Sequence, residues 1–425
     1  MTQLSEPEAI RSQSGPVRHF VFIYPQIKKL TGAQRLILAL AGAVTNLPGE
    51  PANRVTLLTH RFARECRPAL PPQVQLIESG KNLNLSGNHY FDSLIEYGAV
   101  PALLKHLPAD TDAICFFGPP SLPGLWWAKK IKRLKKPLLY FCYEPPRAAY
   151  TDRIEVSRRM GWVGRLIGAL LLAYRPLDKY LARQADAILV NGEYGQSLIR
   201  QTYQRPSTII THGVDLKKPP QLADSVARLR AKYGLEDKKV ILTVNHLHPR
   251  KRVDLLLKAM ALIVRQQPDS VALIVGTGPE EASLRTLATS LGLAASIQKD
   301  PNQSSVIFAG FVPETELAAC YAASDVYAHM CREESFGLSV LEASAAGLPV
   351  VAVDEGGPRE IIKPGETGFL VPPQPEALAE KIGWLLAHPA EAHEMGQRSA
   401  KRIAEQFTWQ RGAEAFIKAY QAAHV

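Results

Sequence analysis

The sequence predicts an α/β protein of two halves, each a mainly parallel sheet layered with helices. Three observations predict it. At 425 residues the chain is too long for one growing core, so two domains are the natural division. Short apolar runs of strand type recur, each followed by a segment with helical apolar spacing. The series is interrupted by VDLKKPPQLADS, from Val214 to Ser225, a polar, proline-bearing stretch that reads as a linker.

In the first half FVFIY (20–24) leads into GAQRLILALAGAV, and RVTLLT (54–59) follows. DAICFF (112–117) leads into SLPGLWWAKKIKRL, and PLLYFCY (137–143) opens a long helical region ending near Ala182. DAILVN (186–191) leads into EYGQSLIRQTY, and STIITHG (207–213) closes the series. The second half begins at KKVILTVNHL (238–247) and helical DLLLKAMALIVRQQ. VALIVG (271–276), VIFAGF (306–311), DVYAHM (325–330), PVVAVD (349–354) and GFLVP (368–372) are its further strands, before a helical tail. The expected division is a first domain over 18–213, a linker over 214–235, a second domain over 236–400, and a C-terminal helix over 401–425 returning toward the first domain. The crevice beyond the C-terminal strand edges is the default site in such folds.

Composition is that of a globular protein, 46% apolar and 21% charged. A net charge of +10 and a pI near 9.3 favour an anionic partner: phosphate, nucleotide, nucleic acid or anionic membrane. The five cysteines, at 66, 115, 142, 320 and 331, have no ligand-like spacing. Several sit in apolar runs, which points to a reduced, cytoplasmic setting without a metal site. MTQLSEPEAIRSQSGPVRH has no apolar core, so residues 1–17 are expected to be a disordered lead-in rather than a signal peptide. No apolar run reaches the roughly 18 residues of a membrane span; WVGRLIGALLLAY is interrupted by Arg165.

The most informative stretch is CREESFGLSVLEASAAGLPVVAVDEGGPREII, from Cys331 to Ile362. Glu334 precedes Ser-Phe-Gly, and Glu342 lies one to two turns into an apolar helix, whose covered face would reject a charge unless something pairs with it. The helix is expected to begin at Ser335-Phe336-Gly337. Amides around Phe336, Gly337 and Leu338 would then form an anion site, with Gly337 admitting a phosphate to the backbone. Glu334 at the mouth would accept hydrogen bonds from sugar hydroxyls, and Glu342 from a pair of ribose hydroxyls. The plainer alternative makes Glu334 a solvated cap and Glu342 an exposed helix residue.

EESFGLSVLEASAAGLPVVAVDEGGPREII resembles the E-x7-E motif of retaining glycosyltransferases of the GT-B fold, the family 4 or group 1 type that includes mannosyltransferases, sucrose synthases and bacterial glycogen synthases. The resemblance implies two Rossmann-like domains facing each other across a cleft, with nucleoside diphosphate sugar as co-substrate and no metal or further cofactor. VNHLHPRKRVDLLLKA (244–259) sits where the family has a Gly-Arg-Leu loop, a lysine and a helix. Lys251 takes the lysine position and would neutralise the departing diphosphate. His246 replaces the family's arginine, a weaker phosphate clamp unless charged, and Arg250 is the substitute cation; His246 is otherwise a packing residue. VGTGPE (275–280) resembles the family's Gly-x-Gly-Pro turn. AGFVPETELAACYAASDVYAH (309–329) resembles the segment whose backbone, here near Phe311 and Val312, holds the base. Gly356 and Gly357 would leave room for the donor's sugar.

The first half carries a looser resemblance. PQIKKLTGAQRLILALA (25–41) is similar to the family's glycine loop, where Gly32 would bring backbone amides to the diphosphate; read alone, it is a helix start capped by Thr31. LLYFCYEPPRAAYTD (138–152) resembles a segment of polysaccharide-assembly mannosyltransferases, with Tyr143 where those relatives carry a histidine facing the transferred sugar. Arg147 faces either an acceptor phosphate or solvent. Between Lys129 and Arg183 stand fourteen Lys or Arg against four Asp or Glu, beside LIGALLLAY. This is either an interfacial helix for anionic lipid or a core helix with a solvated basic face.

The resulting expectation is a retaining hexosyltransferase. GDP-mannose is the favoured donor and a UDP-sugar the alternative. The acceptor is a glycan or lipid-linked hydroxyl, with peripheral contact to the inner face of the cytoplasmic membrane through residues 129–183. The alternative function is a basic nucleic-acid or membrane-surface binding protein without transferase activity. Its basic residues would spread along a groove, whereas these cluster beside an aliphatic helix.

Overall fold

The computed structural model describes residues 17–49, 51–83, 89–151, 161–214, 221–293, 295–296 and 305–424. The lead-in expected over 1–17 therefore lies outside the described residues except for Val17. So do residues 215–220 of the expected linker, Arg153, Arg158 and Arg159 of the basic segment, and the side chains of Trp162 and Arg165.

Two seven-stranded sheets carry the fold. The first runs in space as Gln75–Glu78, Ala52–Thr59, Val17–Ile23, Ala113–Phe117, Leu138–Phe141, Ala187–Val190, Thr208–Ile209. The second runs as Ala295–Ser296, Val306–Gly310, Ser270–Val275, Lys239–Val244, Val326–His329, Val350–Val353, Gly368–Val371. The registered pairs in both are parallel. Parallel strands covered by helices on both faces must be apolar on both sides. Hence Ala113–Phe117, Leu138–Phe141 and Val350–Val353 are buried at every position.

In each sheet the strand order reverses once. In the second, the chain steps outward from Lys239–Val244 through Ser270–Val275 and Val306–Gly310. It then returns to lay Val326–His329 on the other side of Lys239–Val244. The loops that follow two adjacent parallel strands thus diverge from a common edge, the switch point at which open α/β sheets bind ligands.

The chain divides into two compact units. One comprises residues 1–142, 146–189 and 413–425, the other 143–145 and 190–412. The tail forms helices Pro389–Gln406 and Trp409–His424. In the first unit Phe416 packs against Phe20 and Phe22, each at 5.3 Å between ring centroids, and Tyr420 lies 5.0 Å from Phe20. The segment read as a linker also carries helix Leu222–Tyr233, closed by Gly234 in the left-handed conformation. Leu229 and Tyr233 of that helix are buried in the second unit's core. Strand Gln75–Glu78 was not apparent in the sequence. Its four residues are partly exposed and lie at the sheet edge, so they lack the continuous apolar run of a central strand.

Phe416 is fully buried, so truncating it removes packing against two aromatic neighbours at once. Phe416→Ala is expected to cost about 3–5 kcal/mol and to lower the midpoint of urea unfolding followed by tyrosine and tryptophan fluorescence.

Candidate active site

Three loops at the switch point of the second sheet build the site. The first follows Lys239–Val244, turns through Pro249–Lys251 and enters helix Val253–Gln266. The second follows Val326–His329 and enters helix Leu338–Ala345. The third follows Val350–Val353 and leads to Pro358–Ile361. The first two are joined by a backbone hydrogen bond, Arg332 N to Arg250 O at 2.9 Å.

Across that junction Lys251 Nζ donates to Glu334 Oε2, with side chains only 17% and 12% exposed. Burial by itself pushes the Glu334 carboxyl up. The Lys251 ammonium overrides it, helped by His329 and Arg250, and holds the carboxyl well below the usual carboxylate range. Glu334 is therefore an anion inside a ring of cations. Arg250 Nη1 lies buried there without a hydrogen-bond partner.

The helix starts three residues later than the sequence reading placed it. Gly337 has φ +101°, outside helical space, and serves as the N-cap, so Leu338 is the first helical residue. Glycine is required there because a side chain disfavours that backbone conformation. At Gly356 the constraint is doubled: φ is +70°, and an added Cβ would meet Glu334 O at 2.3 Å. The neighbouring Gly357 N donates to Glu334 O at 2.8 Å. The glycine pair thus packs directly on the backbone that presents Glu334.

Glu342 is half-buried and accepts a hydrogen bond from Tyr321 OH at 2.8 Å. That hydroxyl comes from within the second unit. Phe336, nearly fully buried, stacks on His212 at 4.3 Å. Leu338 is half-buried at the helix start. Phe311, after strand Val306–Gly310, is 78% exposed, and Val312 is half-buried. His246 is exposed and stacks loosely on His248 at 6.5 Å. Tyr143 is half-buried and grouped with the second unit, whereas Gly32 belongs to the first. Gly32 opens helix Gly32–Asn46, and Thr31 N donates to Gln34 Oε1 at 3.2 Å, the capping arrangement of an ordinary helix start.

Sequence reasoning missed three residues here. Tyr321, His212 and His329 reach the site from separate segments, and no local motif marks them. Arg252, which directly follows Lys251, is largely covered and paired with Glu355. His329 is 1% exposed, its ring nitrogens have no hydrogen-bond partner, and Nε2 lies 3.9 Å from Glu334 Oε2. His329, Cys331 and Glu334 bring their ligand atoms within 4.8 Å of one another. The donor set does not suit a cation, because Lys251 already bonds Glu334, and Arg250 and Arg252 add positive charge around His329.

Burial, reinforced by Lys251, Arg250 and Arg252 and opposed by Glu334, lowers the His329 pKa from 6.5 to about 4. The unfolded chain therefore binds the His329 proton first. Folding stability from this group is complete above pH 6.5 and is lost as pH falls toward 4. A shift of that size corresponds to roughly 3 kcal/mol. Relative to wild type, His329→Leu is expected to gain about that much between pH 7 and pH 4, as read by urea unfolding at the two pH values.

Comparison with known proteins bears on the family and the fold. The family described as "Glycosyl transferases group 1" matches residues 225–402. The GDP-mannose-dependent alpha-(1-6)-phosphatidylinositol monomannoside mannosyltransferase of Mycolicibacterium smegmatis is 33% identical over 282 residues, 63% of this chain and 70% of that protein. The D-inositol 3-phosphate glycosyltransferase of Rhodococcus jostii is 32% identical over 261 residues, 58% of this chain but only 55% of that protein. Among solved structures, HepE of Anabaena in complex with UDP and glucose superposes with a TM-score of 0.68 at 20% identity, covering 94% of this chain and 98% of that one. Sucrose-phosphate synthase of Thermosynechococcus elongatus does so with a TM-score of 0.68 at 22% identity, covering 95% and 98%. These two share the fold, two Rossmann-like units of the GT-B type. With the sequence relatives and the matched family, they make the chain a member of the group 1 glycosyl transferases, a glycosyltransferase of the GT-B fold.

Proposed function

We propose that this chain transfers a mannosyl group from GDP-mannose, with retention at the anomeric carbon, to a hydroxyl of a lipid-linked glycan acceptor. The observation that carries the reading is the Lys251–Glu334 pair at the head of the helix bearing Glu342. A carboxylate and an ammonium are poised together there beside a helix start. The mycobacterial relative, GDP-mannose-dependent by name, supports the donor and a phosphoinositide-type acceptor. UDP-glucose is the second reading, because HepE is described in complex with it. The nucleic-acid alternative is not favoured by any of these relatives.

In this reading Glu334 accepts hydrogen bonds from the transferred sugar and Glu342 from the ribose, and backbone groups at Phe311 and Val312 hold the base. The amides of Phe336, Gly337 and Leu338 take the diphosphate together with Lys251, Arg250 and His246. Gly32 supplies a further amide to the diphosphate, and Tyr143 a hydroxyl to the sugar. The acceptor oxygen attacks the anomeric carbon on the face from which the diphosphate departs. The breaking carbon–oxygen bond leaves its electron pair on the phosphate oxygen, which takes the acceptor's proton. Lys251 stabilises charge that develops only as that bond breaks, so it acts chiefly in the transition state.

The test is turnover of a nucleotide-sugar panel by wild type, K251A, H246A and H246R. GDP-mannose should be the preferred donor. K251A should lower kcat by roughly two to four decades, H246A should cost less, and H246R should keep wild-type rates. A wild-type K251A rate on a turned-over donor would remove the catalytic assignment, and turnover of no nucleotide sugar would remove the function.

The membrane part of the proposal rests on helix Gly161–Ala182. Leu170, Leu172, Leu177 and Tyr180 are exposed on it. Trp126 Nε1 donates to Tyr180 OH at 3.4 Å, which places exposed Trp127 and Ile131, with exposed Lys130, Lys132, Arg133 and Lys135, near its C-terminal half. Apolar side chains beside unneutralised cations suit an anionic bilayer surface. No helix among the described residues is long and apolar enough to cross a membrane. The protein should co-sediment with phosphatidylserine-containing vesicles and release at about 0.5 M salt, where the Debye length is roughly 4 Å against about 30 Å in 0.01 M buffer. Equal failure on anionic and neutral vesicles would sink the membrane assignment.

A further inference from the structure

Arg252 is in the left-handed region, with φ 47° and ψ 41°. The described residues include three other non-glycine residues of positive φ, Arg133, Gln204 and Glu333. Gln204 caps the C-terminus of a helix, where this conformation is common. Arg252 closes the short 3-10 turn Pro249–Lys251 and at the same time opens helix Val253–Gln266, a position where an extended Ser, Thr, Asp or Asn is preferred. A glycine would adopt this backbone conformation without penalty. Such strain persists where the surroundings over-determine it, and an observed outlier is grounds for asking what it does.

The surroundings are specific. Arg252 Nε donates to Met330 O at 2.8 Å. Its two terminal nitrogens donate to the two carboxylate oxygens of Glu355, at 3.3 and 2.9 Å, a fork-to-fork pair. Both side chains are largely covered, at 19% and 28% exposure. One side chain thus ties together all three loops of the site. It sits on the Lys251 loop. It holds the end of the strand that leads to Glu334. It also grips the residue before Gly356, whose backbone lies against Glu334 O.

We propose that Arg252 is a positioning residue that clamps the Lys251 loop, so that Lys251 alone moves when it exchanges Glu334 for the donor diphosphate. The catalytic part of this inference rests on the reading of Lys251 given above. The clamp itself does not. Without the arginine the loop is free to follow the lysine, and the ammonium reaches the leaving oxygen in a spread of positions. Misplacement on the scale of 1 Å is enough to cost about a hundredfold in rate. Glycine at this position relieves the backbone but removes the clamp, so stability and rate should part company.

The experiment compares R252G, R252K and E355Q with wild type, and K251A with K251A/R252G. E355Q leaves the backbone unchanged and keeps the test open if R252G folds poorly. Two readouts are used. Trypsin cleavage after Arg250, mapped by mass spectrometry, reports loop release without needing a donor. Steady-state kcat and KM on the donor that wild type turns over report positioning. Expected for R252G are a melting temperature within about 2 °C of wild type, since relief of strain offsets lost bonds, and faster cleavage after Arg250. Its kcat should fall roughly ten- to hundredfold with KM nearly unchanged. E355Q should show the same pattern more weakly, and R252K should keep part of the rate through one retained donor. In the K251A background R252G should cost nothing further, because the lysine it positions is gone. Unchanged protease resistance in R252G and E355Q would overturn the clamp, whether or not any nucleotide sugar is turned over. A kcat loss that multiplies with that of K251A would overturn the positioning role and leave simple destabilisation.

Discussion

The Lys251–Glu334 ion pair is the contact around which the second unit's loops are arranged. Its partners lie 83 residues apart, yet each sits at the end of a strand that neighbours the other's in the sheet. A pair this covered is costly unless its remaining polar atoms are matched. The backbone that presents the pair is itself held in place by hydrogen bonds. Gly357 N reaches Glu334 O, and Arg332 N reaches Arg250 O. With Lys251 bonded to Glu334 and Arg252 to Glu355, Arg250 leaves these five groups with more positive than negative charge. That imbalance keeps Glu334 ionised and is the electrostatic condition an incoming diphosphate would relieve.

The parallel sheet explains why the contact occurs at this edge. Parallel strands deliver all their outgoing loops to the same side, and the order reversal beside Lys239–Val244 opens a gap between two of them. The loops filling the gap must approach closely, and the glycines there are placed accordingly. At Gly356 any side chain would collide with the carbonyl of Glu334, and at Gly357 with the backbone of Phe336. Behind this layer lie two buried imidazoles, His212 against Phe336 and His329 against Tyr327. Burial lowers the pKa of His212 to about 3 and, with its cationic neighbours, that of His329 to about 4, so both are neutral rings at neutral pH.

Helix Gly161–Ala182 illustrates how one segment supports two readings until its neighbours are placed. Its apolar composition fits either a core helix or an interfacial one. Its interior side is anchored by Asp178, fully buried, which accepts hydrogen bonds from Tyr150 and Tyr174 at 3.0 and 3.4 Å. Its outer leucines remain exposed. The helix is therefore both anchored and apolar outside, a combination that burial of the whole segment would not produce.

What the sequence determined by itself was whatever is encoded locally. Central parallel strands are apolar on both faces, so FVFIY, DAICFF, VALIVG and PVVAVD were legible as unbroken runs. The motif containing Glu334, Gly337 and Glu342 was legible because its spacing is that of a single turn and helix. The short edge strand Gln75–Glu78 and the helix Leu222–Tyr233 were not, because partial exposure in one and a proline-rich approach to the other obscure their periodicity. Only the tertiary structure decided the partners. Tyr321 reaches Glu342, Arg252 reaches Glu355 across 103 residues, and His212 stacks on Phe336. Composition and period carry no information about such pairs. Their members are brought together by the order of strands in the sheet, and that order follows from how the helices pack the two faces of the sheet rather than from any one segment's pattern.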